Sequence, residues 1–456
     1  MNLNSKLKIL ELFCTKIFWR IKFTMSAIIC FENKQWFLKQ WLVALLLLLF
    51  LCHDLASGQV NRTGNISTFT DSIIAAIPGA GTNVYQAPTV AVLSDFENIV
   101  HQILNSDYSG AALTCSNVGY QLIHFTDNTG TGASDFYVLM KTAASANYWG
   151  TYIFNANASI SNLIIQAPHP KFDSNTGNQA FYVFKNSGAR AYCVSGTHRC
   201  NQSLFSSCSG TTTACGTDEP FRISDMAHNT GTVFFRITQT LFYSISNSVF
   251  IQLHGFAKQP SDPYVIMSNG THITPSTDYV LQLKNQMQSI DNTLTFKIAH
   301  IDTGWTKLNG LTNVEGRLIN QSLNICNSNA TSCSGRFIHI EQEYSKLRQT
   351  TSGWNKILQA INSVFAPSPL ALELKAFTVK CDGEKVNISC SAVFNDISKI
   401  TFQKSNDGKT YYDLQTYSTI HLHNAEATFT SYDMVVDALT MYYRIKQVSI
   451  NGELQY

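Results

Sequence analysis

The sequence has few charged residues, and this scarcity narrows what the chain can be. Asp, Glu, Lys and Arg make up only 14% of its 456 residues, well below the ~25% that is usual in soluble domains. Apolar residues make up 45%, which excludes a disordered chain and is enough for a large core. The 32 basic and 30 acidic residues nearly balance, so nothing in the charge indicates a nucleic-acid partner.

The sequence also lacks an apolar run long enough to span a membrane. Residues 41–52 are an unbroken apolar run of twelve, shorter than the ~20 residues that a spanning helix needs. Seven basic residues precede this run, and Ala56-Ser57-Gly58 follows it as a small-x-small cleavage site. We therefore predict a signal peptide or leader at 1–58, with Met25 as an alternative start, and a secreted or cell-surface protein with no stable membrane span. A lipoprotein signal ending at Cys52 is the alternative, but Leu51 is bulky where a small residue is expected.

Two groups of cysteines lie in polar loops. Removing the leader leaves nine of the twelve cysteines, an odd number, so at least one thiol stays free or pairs with another chain. Cys200, Cys208 and Cys215 form one group, and Cys326 and Cys333 form the other. In an exported protein both groups are typical of loops held by disulfides.

Cys381 and Cys390 are expected to remain free thiols. Residues 375–381 and 384–390 are predicted to be two strands joined by the turn Asp382-Gly383. In that register the two cysteines would lie ~20 Å apart at ~3.3 Å per residue. A disulfide needs Cα atoms within about 7 Å.

Strand and helix patterns divide the chain after the leader. Residues 59–89 are predicted to be a flexible segment, and residues 90–366 an α/β domain with a mixed sheet flanked by helices. Ser94 and Glu97 form a capping box that predicts a helix at 94–105, and further helices are expected at 176–187, ended by Gly188, and at 276–290. Pro367-Ser368-Pro369 marks a boundary, and residues 367–456 are predicted to be a small all-β sandwich whose last strand is expected to be truncated.

Four predicted strands are each followed by an unusual polar group. Residues 163–166 lead to His169 and Asp173, and residues 189–194 lead to His198 and Arg199. The other two runs are 249–253, which precedes His254, and 337–340, which precedes Glu341. In open α/β sheets the functional site lies at the carboxyl ends of the strands. We therefore expect these polar side chains to converge.

The residue types fit a hydrolytic zinc site. Such a site needs about three N or O ligands and an open position, which His169, Asp173 and His254 supply, with Glu341 as the base. Arg199 and Arg222 are candidates for binding a substrate carboxylate through guanidinium. Each of these residues also has an ordinary structural explanation, such as an ion pair for either arginine. Cys200, beside His198 and Arg199, could be a nucleophile with a lowered pKa, but the nearby cysteines favour a disulfide instead.

The order of these residues resembles the zinc carboxypeptidase and N-formylglutamate amidohydrolase-like group over residues 160–345. The resemblance implies a mixed sheet flanked by helices, a zinc ion, and substrate-binding roles for a further set of residues. That set consists of His198, Arg199, Arg222, His228 and Asn229. Asp173 stands where the group has Glu, with a spacer longer by one residue, which leaves His198 or His228 as alternative ligands.

Residues 369–456 resemble the fibronectin-type-III-like module that precedes the type IX secretion sorting domain in exported Bacteroidetes proteins. The resemblance rests on residues 369–377, on 404–409 around Asp407-Gly408, and on 442–448 with Asn451-Gly452. It implies a bacterial protein that interacts with the secretion machinery if a sorting domain follows.

Together these patterns predict an exported metal-dependent amidohydrolase or peptidase. Its substrate would be a small acylated amino acid or peptide that carries a carboxylate. The alternative is a non-catalytic binding or adhesion protein built on a degenerate hydrolase fold.

Overall fold

The computed structural model of the protein describes residues 60–130, 133–365, 372–394, 397–419, 425–434, 440–449 and 454–455. The predicted leader and the Pro367-Ser368-Pro369 boundary lie outside these residues. None of the helices in these ranges has the length and apolar character that a membrane crossing requires.

Ten strands form one mixed sheet. They are β1 (Val60–Gly64), β2 (Tyr120–Asp127), β3 (Ser134–Lys141), β4 (Thr151–Asn155), β5 (Ile160–Ala167), β6 (Ala189–Val194), β9 (Val249–Gly255), β10 (Val265–Ser268), β11 (Phe296–Ile298) and β12 (Phe337–Gln342). The two-residue strands β7 (Thr211–Thr212) and β8 (Glu219–Pro220) pair with each other. The order across the sheet is β1-β2-β3-β4-β6-β5-β9-β12-β10-β11. Strands β6, β5, β9 and β12 run parallel, so their carboxyl ends lie at one edge.

Helices cover both faces of this sheet. They are α1 (Ile66–Ala75), α2 (Val90–Leu104), α3 (Tyr108–Asn117), α4 (Thr176–Ser187), α5 (Val233–Ser244), α6 (Tyr279–Ile290), α7 (Val314–Ile319) and α8 (Thr351–Phe365). Alternate residues of β9 and β12 enter two different buried clusters, Ile251 and Ile338 on one face and Phe250 and Phe337 on the other, because side chains alternate along a strand. The predicted mixed sheet flanked by helices is confirmed.

The start of the described chain differs from the prediction. The segment 59–89, predicted to be flexible, contains β1, which pairs in parallel with β2, and α1. The Asn65 side chain caps α1 by accepting from the Ser67 amide at 2.9 Å. Helix α2 begins at Val90, where Thr89 accepts from the Val92 amide, so the predicted capping box lies inside the helix.

Two later helices lie close to their predicted positions. Helix α4 has the predicted bounds and ends at Gly188, whose φ of 74° is the left-handed conformation that glycine adopts at little cost. Helix α6 begins three residues after the predicted start. Asp278 caps it by accepting from the Leu281 amide at 2.9 Å.

Two disulfides hold the loops that contain the cysteine groups. Cys200 bonds to Cys215, as expected for a loop closed within its own group. Cys208 bonds to Cys326, so the second disulfide joins the two groups across 118 residues of chain. Cys333 is free, so the second group is held through Cys326 alone.

The C-terminal part consists of small antiparallel sheets. Its strands are β13 (Leu372–Asp382), β14 (Lys385–Phe394), β15 (Ile397–Ser405), β16 (Tyr412–Ser418), β17 (Ala425–Met434), β18 (Tyr442–Ser449) and β19 (Leu454–Gln455). One sheet has the order β13-β14-β17 and the other β16-β15-β18-β19. A shared buried cluster takes residues from both sheets, including Ile388 of β14 and Phe402 of β15. This is the predicted all-β part.

The first hairpin of these sheets corrects the predicted register. Asp382 pairs with Lys385 and Cys390 with Phe377, so the two turn residues are Gly383 and Glu384. Gly383 takes the first turn position with φ 61°, where a type II′ turn requires glycine. Phe377, the partner of Cys390, lies four residues from Cys381, about 13 Å along the strand. Both cysteines are free, as predicted.

Candidate metal centre

Polar side chains replace the apolar core at the carboxyl ends of β9 and β12. The parallel register pairs His254 with Glu341 and Gln252 with His339. All four side chains lie on the face that carries Phe250 and Phe337 further back along the strands, since every second residue faces the same way. The strand ends therefore form one buried polar surface, as the sequence predicts.

A tight turn after β5 brings His169 and Asp173 to the same place. The Asp173 amide donates to the His169 carbonyl at 2.8 Å, and the Thr176 amide donates to the Asp173 carbonyl at 3.0 Å. Asn175 has a φ of 68° and ends the turn directly before α4. The side chains of His169 and Asp173 are 1% and 4% exposed, so the turn directs both of them inward.

The three predicted ligands meet at a single carboxylate oxygen. Oδ2 of Asp173 lies 3.5 Å from Nδ1 of His169 and 3.3 Å from Nδ1 of His254. The ligand atoms of the three residues all lie within 4.8 Å of one another, so they could hold a metal ion. We name these three residues the ligand group.

An oxygen atom faces the other nitrogen of each histidine in the ligand group. Nε2 of His169 lies 2.8 Å from Oδ1 of Asp225, and Nε2 of His254 lies 3.2 Å from Oε1 of Gln252. A histidine that donates from Nε2 keeps its lone pair on Nδ1. Nδ1 of His169 is buried without a hydrogen-bond partner. A cation at the ligand group would satisfy this atom.

The charges of the ligand group depend strongly on its buried surroundings. Burial alone would lower the pKa of His169, but Asp225 and Asp173 outweigh burial and raise that pKa. Burial would raise the pKa of Asp173, but its interactions with the neighbouring His169 and His254 hold it below its usual value. Burial lowers the pKa of His254 to about 4, so this imidazole is neutral at pH 7. The group offers one carboxylate and a neutral imidazole.

Asp225 organises the neighbouring loop. Its Oδ1 contacts His169 and also lies 3.0 Å from Nδ1 of His228, while its Oδ2 accepts from Arg199 Nε at 2.9 Å and Nη2 at 2.6 Å. Burial opposes ionisation, but Arg199 together with the two histidines holds the pKa of Asp225 well below its usual value. The sequence analysis named Arg222, His228 and Asn229 around Asp225 but assigned Asp225 no role. The signal for it was an Asp three residues before a His.

Glu341 lies beside the ligand group through His254. Ligand atoms of His254, His339 and Glu341 all lie within 4.8 Å of one another, and Oε1 of Glu341 is 3.7 Å from Nε2 of His339. Oε2 of Glu341 and Nδ1 of His339 are buried without hydrogen-bond partners. Burial, with a contribution from the Asp173 charge, raises the pKa of Glu341 to about 8. His339 was not predicted as a site residue, although it lies two residues before Glu341 on the same strand face.

The predicted substrate-binding residues separate into two sets. Arg199 and His228 both contact Asp225, next to the ligand group. His228 also stacks on Phe221 at 3.7 Å, and burial lowers its pKa. Of the two alternative ligands, His228 belongs to a possible metal-binding group with His169 and Asp225. His198 belongs to none of the groups formed by the described residues.

The other predicted residues hold loops together. Arg222 is paired with Glu219 and donates to the Ser203 carbonyl, and Asn229 donates to the Ile223 carbonyl at 2.8 Å. Nδ1 of His198 accepts from the Cys200 amide at 3.0 Å, and burial lowers the His198 pKa.

Cys200 is not a nucleophile in this structure. It is bonded to Cys215, as the nearby cysteines in the sequence favoured.

Arg348, which the sequence analysis missed, joins the three loops that carry the site. It is buried and donates from Nε to the Gln342 carbonyl at 3.0 Å, from Nη1 to Ser174 at 2.6 Å, and from Nη2 to Phe256 at 3.3 Å. The three carbonyls belong to residues that come one or two positions after Glu341, Asp173 and His254 in the chain. A rigid guanidinium thus fixes the relative positions of the three chain segments.

Comparisons with known proteins identify no family. No family model and no curated protein matches the chain. A crystal structure of wild-type OgpA from Akkermansia muciniphila is 9% identical, with a TM-score of 0.16, and the match covers 66% of this chain and 92% of that chain. A second crystal form of the same protein is 7% identical, with a TM-score of 0.13, and covers 66% and 97%. At such TM-scores neither match bears on the function of this chain.

Proposed function

We propose that the chain is an exported zinc-dependent hydrolase that cleaves an amide bond of a carboxylate-bearing acylated amino acid or peptide. The supporting observation is the ligand group, in which two histidine Nδ1 atoms face one buried aspartate oxygen at 3.5 and 3.3 Å. Such atoms are costly to bury together without a cation. His169, Asp173 and His254 would hold the ion, with Glu341 next to His254.

The proposed chemistry divides between the ion and Glu341. When bound, the ion supplies positive charge that polarises a carbonyl and makes water more acidic. Glu341 takes a proton from the attacking water, because its Oε2 is buried, lacks a partner and lies beside His254. Its pKa of about 8 falls in the ion's presence, since a nearby opposite charge favours the ionised form. A value near neutrality suits a general base.

Arg199 is the better of the two arginines for holding a substrate carboxylate. Its Nε and Nη2 donate to Asp225, which fixes the guanidinium, while Nη1 makes no hydrogen bond to the described residues. The guanidinium carbon lies 5.2 Å from the ring of Phe172, a half-exposed side chain at the same turn. Arg222 also has an ion pair, with Glu219, but the partner of Arg199, Asp225, is the one that contacts His169 of the ligand group. We assign substrate binding to Arg199 first.

The disulfides support export. Cys200–Cys215 and Cys208–Cys326 are compatible with an oxidising compartment outside the cytoplasm. Secretion through the predicted leader is part of the proposal, and so is contact with the type IX secretion machinery if a sorting domain follows.

Metal removal and a substrate panel test the proposed function. The panel contains N-formyl and N-acetyl amino acids and short peptides, each with a free carboxylate and as its methyl ester. We expect turnover of at least one free acid, its loss after chelation, its return with zinc, and a weaker reaction with the ester. If no member of the panel reacts with the zinc-loaded protein, the alternative of a binding or adhesion protein is favoured.

A further inference from the structure

A cavity of about 330 Å³ lies between α1 and the sheet. Phe69 and Ile73 line it from α1, Ile77 from the turn that follows, and Met140 from β3. Its wall is predominantly apolar, and its volume lies within the ~300–1,000 Å³ that is usual for small-molecule sites in proteins. The proposed function gives this cavity no role.

The cavity is a neighbour of the ligand group and is separate from it. Gly196, two residues after β6, lines the cavity, which therefore lies at the edge of the sheet where the parallel strands end. Residues 76 and 77 also line it, and the preceding carbonyl, that of Ala75, accepts from Nζ of Lys171 at 3.0 Å. Lys171 belongs to the turn of the ligand group, but no member of that group lines the cavity.

Lys141 gives this cavity its charge. Of the described residues that line it, Lys141 alone is charged at neutral pH, and none is acidic. Its Nζ donates to the Ser145 carbonyl at 2.7 Å and lies 5.2 Å from the centre of the Tyr148 ring. Both of these partners are uncharged, and an ammonium has three protons to donate. Lys141 therefore has charge and donors left for an anion.

An amide without a partner lies beside this lysine. Gln121 of β2 lines the cavity and pairs across the strands with Met140, the residue before Lys141. Its side chain is half-buried and makes no hydrogen bond within the described parts of the chain. The NH₂ group of an amide donates hydrogen bonds. Two donors thus stand side by side in a cavity that is otherwise mostly apolar.

We propose that this cavity binds a small amphiphile with a carboxylate head and an alkyl tail, such as a medium-chain fatty acid. The carboxylate pairs with Lys141 and accepts from Gln121, and the tail packs against Phe69, Ile73 and Ile77. The assignment rests on the shape, the apolar wall and the single charge of the cavity. It does not depend on the proposed function, and a chain without hydrolase activity would still bind the amphiphile.

Calorimetric titration of the full chain with hexanoate, octanoate and 1-octanol tests the two halves of the ligand. Each methylene buried against the apolar wall should raise the affinity ~4-fold, so octanoate should bind about 15-fold more tightly than hexanoate. Octanol has the tail of octanoate without its charge, and we expect it to bind more weakly than octanoate.

Replacing Lys141 tests the role of the charge. Lys141→Met should weaken octanoate binding by about 5-fold, as expected for a partly exposed ion pair, and leave octanol binding unchanged. The matched control is Lys284→Met, because Lys284 is also half-buried and lies 5.9 Å from the ring of Phe296, outside the cavity. Equal effects of Lys141→Met on octanoate and octanol would overturn the assignment of the carboxylate head.

Filling the cavity tests its location. Ala76 lines the cavity and is exposed, so Ala76→Trp should block binding of octanoate and octanol without disturbing the core. Ala75 is exposed too but does not line the cavity, and Ala75→Trp should bind both ligands like the wild type. A wild type that binds no octanoate at millimolar concentrations, or an Ala76→Trp protein that binds it normally, would overturn the proposal.

Discussion

Replacing Glu315 with Gln should remove a large pH-dependent loss of stability from the metal-free protein. Glu315 lies in α7 with no exposed surface. Its Oε2 accepts from Gln252 at 3.3 Å, and its Oε1 has no hydrogen-bond partner. Burial raises its pKa from 4.5 to about 8. The folded protein therefore keeps a proton on Glu315 that the unfolded chain releases near pH 4.5.

The sign and size of the effect follow from this difference. Between pH 4.5 and 8 the native state binds more protons than the unfolded state, so the stability from this group is fully present below pH 4.5 and falls as the pH rises through 8. The slope is about 1.4 kcal/mol per pH unit. From pH 5 to pH 7 the wild type should therefore lose about 3 kcal/mol at Glu315 alone, and Glu315→Gln should not.

Urea unfolding at pH 5 and pH 7 measures this loss. In residues 59–456 all tryptophans, Trp149, Trp305 and Trp354, lie in the α/β part, so their fluorescence reports its unfolding without a signal from the C-terminal sheets. Glu97→Gln is the control, because Glu97 pairs with Arg236 at the surface. If Glu315→Gln and the wild type lose the same stability between the two pH values, the carboxyl is not held neutral and the reasoning is wrong.

Glu341→Gln should lower turnover by ~10²–10⁴-fold, the range for a general base, while zinc content stays unchanged. Glu343→Gln, two residues further along the chain, should keep activity near that of the wild type, and equal activity in both variants would remove Glu341 from the mechanism. Replacing both Cys208 and Cys326 with serine should lower the free energy of unfolding by about 5 kcal/mol, because the disulfide closes a loop of 118 residues. Urea unfolding measures this loss, and an unchanged urea midpoint would contradict it. Thiol counting on the denatured, unreduced protein from residue 59 should find five free groups, and any other number would contradict the disulfide pattern.

The sequence allowed the fold class and the convergence of His169, Asp173, His254 and Glu341 to be predicted, because each residue follows or ends a strongly apolar strand. Parallel strands place such ends at one edge, and this follows from pattern alone. The predicted hairpin turn, Asp382-Gly383, was wrong by one residue, because the observed turn is Gly383-Glu384. Both pairs place a glycine in the turn, so the sequence alone does not decide which pair forms it.

Asp225 and Gln252 could not be assigned roles from the sequence for two different reasons. Asp225 lies in a long irregular loop held by Cys200–Cys215 and Cys208–Cys326, and the second disulfide cannot be inferred from spacing across 118 residues. Gln252 was visible as a lone amide inside the apolar run 249–253. It hydrogen-bonds to Asn313 and Gln166, which only the folded sheet brings next to it.

Zinc binding by the ligand group is the most direct test of the proposed function. Residues 59–456 are equilibrated with zinc, freed of unbound metal by gel filtration, and analysed for zinc per chain. We expect close to one zinc per chain in the wild type and in His272→Ala, whose imidazole contacts the Ala299 carbonyl outside the site, and almost none in Asp173→Asn or His254→Ala. A wild type without zinc, or an Asp173→Asn protein that keeps it, would contradict the account.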